Sequence, residues 1–125
     1  MKIKSILERN PIIPAIKDNI TLEKALNSNS EIVFIILANI VNIKEYCDKL
    51  REKNKVIYIH IDMIDGLNST NNGIDYIMNT IKPDGILTTK SNVVAHAYKN
   101  NISVIQRFFI LDTLSYEKAL SNIKE

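Results

Sequence analysis

Glycine is scarce in this sequence: three residues in 125. That excludes the glycine-rich phosphate loops of nucleotide-binding folds, and neither a Walker nor a dinucleotide fingerprint is present. A single cysteine, Cys47, leaves no intramolecular disulfide to form, which fits a reducing cytoplasm. Charge of either sign is nearly balanced, with 16 Lys and Arg against 14 Asp and Glu. A net charge of +2 is too mild to announce the concentrated basic face of most nucleic-acid binders. Long apolar runs are missing as well. The longest, residues 32–38, stops well short of a bilayer span. Residues 1–9 are too charged for the apolar core of a signal peptide. No membrane association is expected.

What is present suits one globular domain, residues 1–125, long enough to bury a proper core. Abundant isoleucine, asparagine and lysine reflect AT-rich codons before they reflect function. Residues 1–9 read as a short helix with Ile3, Ile6 and Leu7 on one face, stopped by Pro11. Residues 12–16 read as a strand interrupted by Pro14, and Thr21 as the cap of a helix carrying Leu22, Ala25 and Leu26. Residues 31–37 read as a second strand, continuously apolar after Glu31. Ile40, Ile43, Cys47 and Leu50 then follow at helical spacing, and the charged residues between them read as a solvated outer face.

The third strand, residues 56–62, is β-branched and aromatic and ends in His60 and Asp62. Ile74, Ile77, Met78 and Ile81 make another helical stripe, closed by Pro83. Residues 84–89 read as a turn and a fourth strand, Ser91 as the cap of the next helix, and residues 102–107 as a fifth strand. An apolar connection at 108–111 and a last helix capped by Asp112 complete the pattern. Five β-α units in alternation imply a parallel sheet with right-handed crossovers. Two α/β architectures fit: the first five units of an eight-fold barrel, or a doubly wound five-stranded sheet.

Ligands of such folds bind beyond the carboxyl ends of the strands. Those ends offer Lys17, then Ala38 and Asn39, then His60 and Asp62, then Thr88, Thr89 and Lys90, then Gln106 and Arg107. On strand alternation His60 and Asp62 face the same way. His60, Asp62 and Asp65 are enough donors for a metal, but the surrounding cations favour an anion. Thr88-Thr89-Lys90-Ser91 leads into a helix N-terminus, where amides and the dipole suit phosphate. The competing reading is a satisfied, half-buried His60 beside a capping aspartate. A phosphoacceptor receiver domain fits the length, but it lacks its acidic pair after the first strand, and Gln106-Arg107-Phe108 stands where lysine and proline belong.

Four strings carry a resemblance: Pro14-Ala15-Ile16-Lys17, then His60-Ile61-Asp62-Met63-Ile64-Asp65-Gly66-Leu67, then Asp84-Gly85-Ile86-Leu87-Thr88-Thr89-Lys90-Ser91-Asn92, then Gln106-Arg107-Phe108-Phe109-Ile110-Leu111-Asp112. Together, in order along nearly the whole chain, they resemble the glycerol uptake operon antiterminators, the GlpP family. The resemblance implies a TIM-barrel-like fold of which this sequence holds the first five β-α units, with later units and their phosphate-gripping loops beyond it. It implies a cytoplasmic, non-enzymatic regulator that answers to glycerol 3-phosphate, acts on leader mRNA and needs no cofactor.

On that reading Lys90 and Arg107 hold phosphate oxygens, Asp62 takes a glycerol hydroxyl, His60 positions it, and Lys17 and Gln106 stand behind them. The alternative is a small phosphate-handling lyase or isomerase on the same barrel, with Lys90 or His60 as the reactive group. Open first and fifth strands of a cut barrel would pair with other chains, so a homo-oligomer, an aggregate or a partly folded state is expected.

Overall fold

The computed structural model describes residues 3–10 and 12–107. Helix α1 (Ile3–Arg9) precedes strand β1 (Ala15–Ile16), helix α2 (Asn19–Leu26) and strand β2 (Ile32–Ile35). A short strand β3 (Ala38–Asn39) leads to α3 (Ile43–Glu52) and β4 (Val56–His60). A 3-10 turn (Ile61–Met63) and strand β5 (Ile64–Asp65) come next, then α4 (Asn71–Tyr76), which runs on as a π turn (Ile77–Ile81). Strand β6 (Gly85–Thr88), α5 (Ser91–Lys99) and β7 (Val104–Gln106) complete the described elements. Pro11, the apolar connection at 108–111 and the helix expected after Asp112 lie outside the described residues.

The main sheet has five parallel strands in the order β1-β2-β4-β6-β7. Each new strand is added on the same side of the last. Right-handed crossovers between strands added in one direction place their helices on one face. The burial agrees. Leu22 and Ala25 of α2, Cys47 and Leu50 of α3, Ile74 of α4 and Val93 and Ala97 of α5 pack with Val33, Ile35, Ile57, Ile59 and Ile86. The opposite face buries Ile32, Tyr58 and Leu87 under Ile6 of α1. A doubly wound sheet reverses its strand order at a switch point, with helices on both sides. There is no reversal among the described strands, so the doubly wound alternative, and the receiver domain with it, does not describe them. The continuous order is that of a singly wound barrel wall.

Several local expectations change. The first strand is only Ala15–Ile16; Pro14 contributes a carbonyl that accepts from Phe34 N–H at 3.0 Å. Asp18, not Thr21, caps α2. Its carboxylate accepts from Thr21 N–H at 2.8 Å, and the Thr21 hydroxyl oxygen accepts from Asp18 N–H at 3.0 Å, a capping box that satisfies two end donors reciprocally. Lys90 occupies the cap position of α5, and Ser91 is the first residue of the helix. The second strand ends at Ile35, and Ile40 is exposed ahead of α3. Ala38–Asn39 instead pairs in parallel with Ile64–Asp65, a two-stranded ribbon at the carboxyl end of the main sheet.

The outer face of α3 is neutralised from within. Lys44 pairs with Asp48 at 2.7 Å, Lys49 with Glu45 at 3.1 Å, and Arg51 with Asp48 at 3.3 Å. The Arg51 guanidinium also donates to the carbonyls of Ile81 and, at 2.8 Å, Lys82, where the π turn ends. Such surface pairs add little stability, but they leave few free cations there, as a solvated face should.

Candidate functional site

Strand β4 stops at His60, and the 3-10 turn that follows turns the chain away from strand geometry. Alternation therefore no longer governs Asp62. Its carboxylate reaches the end of β6, where Oδ1 accepts from the Thr88 hydroxyl at 2.8 Å. Its other oxygen, Oδ2, accepts from Thr89 N–H at 2.8 Å and from the Thr89 hydroxyl at 3.0 Å. The Ser69 hydroxyl adds a longer contact to Oδ1 at 3.3 Å. Thr88, fully buried, in turn accepts from Lys90 N–H at 3.0 Å. A chain of hydrogen bonds thus runs from the start of α5 through Thr88 to Asp62 and on to the loop before α4.

Burial alone would favour the neutral acid at Asp62. The Thr89 amide and the Thr88 and Thr89 hydroxyls together outweigh it and hold the carboxyl below its ordinary value. The negative charge beside the N-terminus of α5 is therefore the protein's own. The Thr89 and Lys90 amides that suggested a phosphate cradle are already engaged, one by Asp62 and one by Thr88. Ser69 was not legible as part of this network; its only signal was the short polar run Asn68-Ser69-Thr70 that also caps α4 through the Thr70 hydroxyl.

His60 has a different environment. It lies on the sheet face with Tyr58 and Val56, opposite Leu87 of β6, and is 3% exposed. Its Nδ1 is buried and has no hydrogen-bond partner among the described residues. Burial pushes the imidazole pKa down; nearby Asp62 pulls it up, and Arg107 pushes it further down. The ring is therefore neutral at neutral pH, with one nitrogen unspent. A buried polar atom without a partner costs free energy and calls for an explanation.

Arg107 follows β7 at the same end of the sheet and is anchored by its N–H to the Thr88 carbonyl at 2.7 Å. Its guanidinium is exposed and lies close enough to His60 to oppose a charge on the ring. Gln106, one residue earlier, is the register partner of Thr88, and its amide donates to the Ser91 hydroxyl at 3.3 Å. By strand alternation it points away from the His60 face. Lys90 is exposed at the start of α5. Lys17 is exposed after β1, two strands from His60, and its N–H donates to the Thr21 hydroxyl oxygen at 2.9 Å.

The geometry brings His60 and Arg107 together and sets Asp62 between the β4 and β6 ends as their brace. A cleft of about 390 Å3 opens beside Asp62, walled by Met63, Gly66 and Asn68. Among the described residues no three His, Cys, Asp or Glu side chains gather as a metal site. No described helix is long and apolar enough to cross a membrane.

Known proteins of the same kind exist. The Escherichia coli (strain K12) uncharacterized protein YgcP is 29% identical over 116 residues, 93% of this chain and 61% of its own length. The crystal structure of a glycerol uptake operon antiterminator regulatory protein from Listeria monocytogenes str. 4b F2365 superimposes with a TM-score of 0.83 at 27% identity, covering 90% of this chain and 60% of that one. A glycerol uptake operon antiterminator-related protein from Thermotoga maritima MSB8 gives 0.80 at 27% identity, covering 90% and 63%. The chain spans about three fifths of the length of each. The family model described as glycerol-3-phosphate responsive antiterminator matches residues 12–125, and this chain belongs to that family.

Proposed function

We propose that this chain is a regulator of glycerol-utilisation genes that acts in the cytoplasm on leader mRNA and binds glycerol 3-phosphate at the carboxyl end of its sheet. The observation that carries the ligand site is the unspent Nδ1 of neutral, buried His60 close to the Arg107 guanidinium. Arg107 offers a planar fork to a dianionic phosphate, with the exposed ammonium groups of Lys90 and Lys17 as further cations on the same edge. His60 Nδ1 meets a hydroxyl of the three-carbon backbone. Asp62 is assigned a positioning role in place of the ligand contact expected from strand alternation, because its oxygens already hold Thr88 and Thr89. Gln106 serves the start of α5.

Nothing in this reading requires turnover, and the lyase or isomerase alternative is not favoured. Calorimetry tests the site. Glycerol 3-phosphate should bind and glycerol should not. Arg107→Ala should cost about 1.5–3 kcal/mol of binding, the range for a charge-assisted hydrogen bond. Equal affinities for the two compounds would remove the phosphate site from this edge.

A further inference from the structure

The carboxyl end of the sheet also carries an apolar patch that the site at His60 does not use. Its frame is the β3–β5 ribbon, whose register pair Ala38–Ile64 is buried against the helix layer. Around that pair the ribbon shows apolar side chains to solvent. Leu37 and Met63, each one position before it, are 45% and 46% exposed, and Val41 is 85% exposed. Ile20, at the start of α2 on the same end of the sheet, is exposed too.

The ribbon is held in shape by its own contacts. Ile40 N–H donates to the Asp65 carbonyl at 2.9 Å and extends the ladder past the Asn39–Asp65 pair. The Asn39 carboxamide oxygen accepts from Val41 N–H at 2.9 Å and from Asn42 N–H at 2.8 Å, which fixes the turn that carries Val41. Gly66 follows at φ 88, and a Cβ there would stand 3.0 Å from Ile40 Cγ2. Side chains presented on a fixed frame have little backbone entropy to lose on binding. Apolar surface of this kind marks an interaction site.

Two opposite charges frame the patch. Lys17 lies on its β1 side, because the Ile16 carbonyl accepts from Ile36 N–H at 2.9 Å and from Leu37 N–H at 3.3 Å. Asp65 lies on the far side, across β3 from Lys17, as the register partner of Asn39. Both are exposed, and neither side chain makes an ion pair or a hydrogen bond among the described residues. Asp18, beside Lys17, is committed to capping α2. An apolar centre with a cation at one edge and a carboxylate at the other is complementary to itself. A two-fold axis through the centre lays apolar surface on apolar surface and brings each Lys17 to the partner's Asp65. Asp65 repels the anionic surface of a membrane or a nucleic acid. Exposed charges at strand ends are often merely solvated, and Lys17 is also a cation of the edge assigned to phosphate. Neither role depends on Asp65, so exchanging the two charges separates them from pairing.

We infer that the β3–β5 ribbon docks on the same ribbon of a second copy of this chain, with Leu37, Val41 and Met63 at the centre and Lys17 paired with the partner's Asp65. The patch is small for a stable interface, so the dimer dissociates on dilution. Sedimentation equilibrium over a concentration series tests it. The parent chain should pass from monomer to dimer, and Val41→Asp, at a position with no packing to lose, should stay monomeric. Lys17→Asp and Asp65→Lys should each weaken association about tenfold, because the two-fold axis counts every exposed pair twice. The doubly exchanged Lys17→Asp/Asp65→Lys chain should regain the parent's association. A parent that is monomeric throughout overturns the inference. Association that persists in Val41→Asp moves the contact to the open strand edges. Single variants that weaken it without recovery in the double variant deny the two-fold pairing. Binding of the parent to anionic vesicles in place of self-association would give the patch to a lipid surface. Unchanged thermal transitions confirm that each variant is folded.

Discussion

Tyr58 on β4 lies across Gly85, its register partner on β6. A Cβ on Gly85 would stand 2.6 Å from the Ser103 carbonyl oxygen and closer still to the Tyr58 ring. The ring is buried, and its hydroxyl shares a hydrogen bond with the Ser103 hydroxyl. Gly85 is thus required by close approach and not by backbone conformation. Gly85→Ala must push the ring off its strand and disturb the start of β7. Overpacking of this kind costs about 1–3 kcal/mol. Urea unfolding should show a lower midpoint at an unchanged slope. An unchanged midpoint would mean that the ring has room to move.

Most of the element order was legible because the apolar spacing changes cleanly between strand and helix. Strand order was not. Local patterns report which residues are buried, not which strand pairs with which, so the barrel wall and the doubly wound sheet stayed equivalent until β1-β2-β4-β6-β7 was seen. The residues at the carboxyl ends were legible from where each apolar strand run stops. Their directions were not, because alternation was carried past His60 into a 3-10 turn. That turn moves Asp62 to Thr88 and Thr89, and leaves His60 as the group with an open atom. The capping error has a similar cause: Asp18 and Thr21 both suit a cap, and only their reciprocal bonds decide which one holds it.

Cys47 should be silent to thiol reagents in the folded protein. It is fully buried between α3 and the sheet, and burial pushes its pKa up to about 12. The thiolate is the reactive species, and almost none exists at neutral pH. Labelling with a chromogenic disulfide should therefore proceed only at the rate of opening and become immediate in denaturant. Rapid stoichiometric labelling of the native chain would show that α3 detaches far more readily than its packing implies.

Asp62→Ala should loosen the carboxyl end of β6 before it unfolds the protein. The substitution leaves the Thr89 amide and the Thr88 and Thr89 hydroxyls without their charged acceptor. Hydrogen bonds to a charged group are worth about 1.5–3 kcal/mol, so the Thr89 amide should exchange roughly tenfold or more faster. Acid should mimic the substitution. The folded pKa of Asp62 lies below its ordinary 3.8. Its contribution is therefore complete above that value and is lost as pH falls through the folded pKa. Exchange at Thr89 that is no faster in the variant, after correction for intrinsic rates, would deny Asp62 its bracing role.

His60 sets a second and separate acid dependence. Its folded pKa is below its ordinary 6.5, because burial disfavours the imidazolium and Arg107 adds to the effect against the pull of Asp62. The unfolded chain therefore takes up this proton first. Above about 6.5 neither state is charged at His60, and the residue adds no slope. Below it the unfolded state gains a proton that the folded state refuses, so stability falls with pH until the folded ring also protonates. This window lies above that of Asp62, so the two can be separated in one titration. Denaturation midpoints measured from pH 8 to pH 5 should decline, and His60→Phe should flatten the decline within this window. Asp62→Ala should act in the opposite sense on the same window: with the carboxylate gone its upward pull on the ring is lost, the pKa drops further, and the decline extends to lower pH. A His60→Phe profile that runs parallel to the parent's would show that the ring is already solvated, and would remove the unspent Nδ1 as the point where a ligand hydroxyl is met.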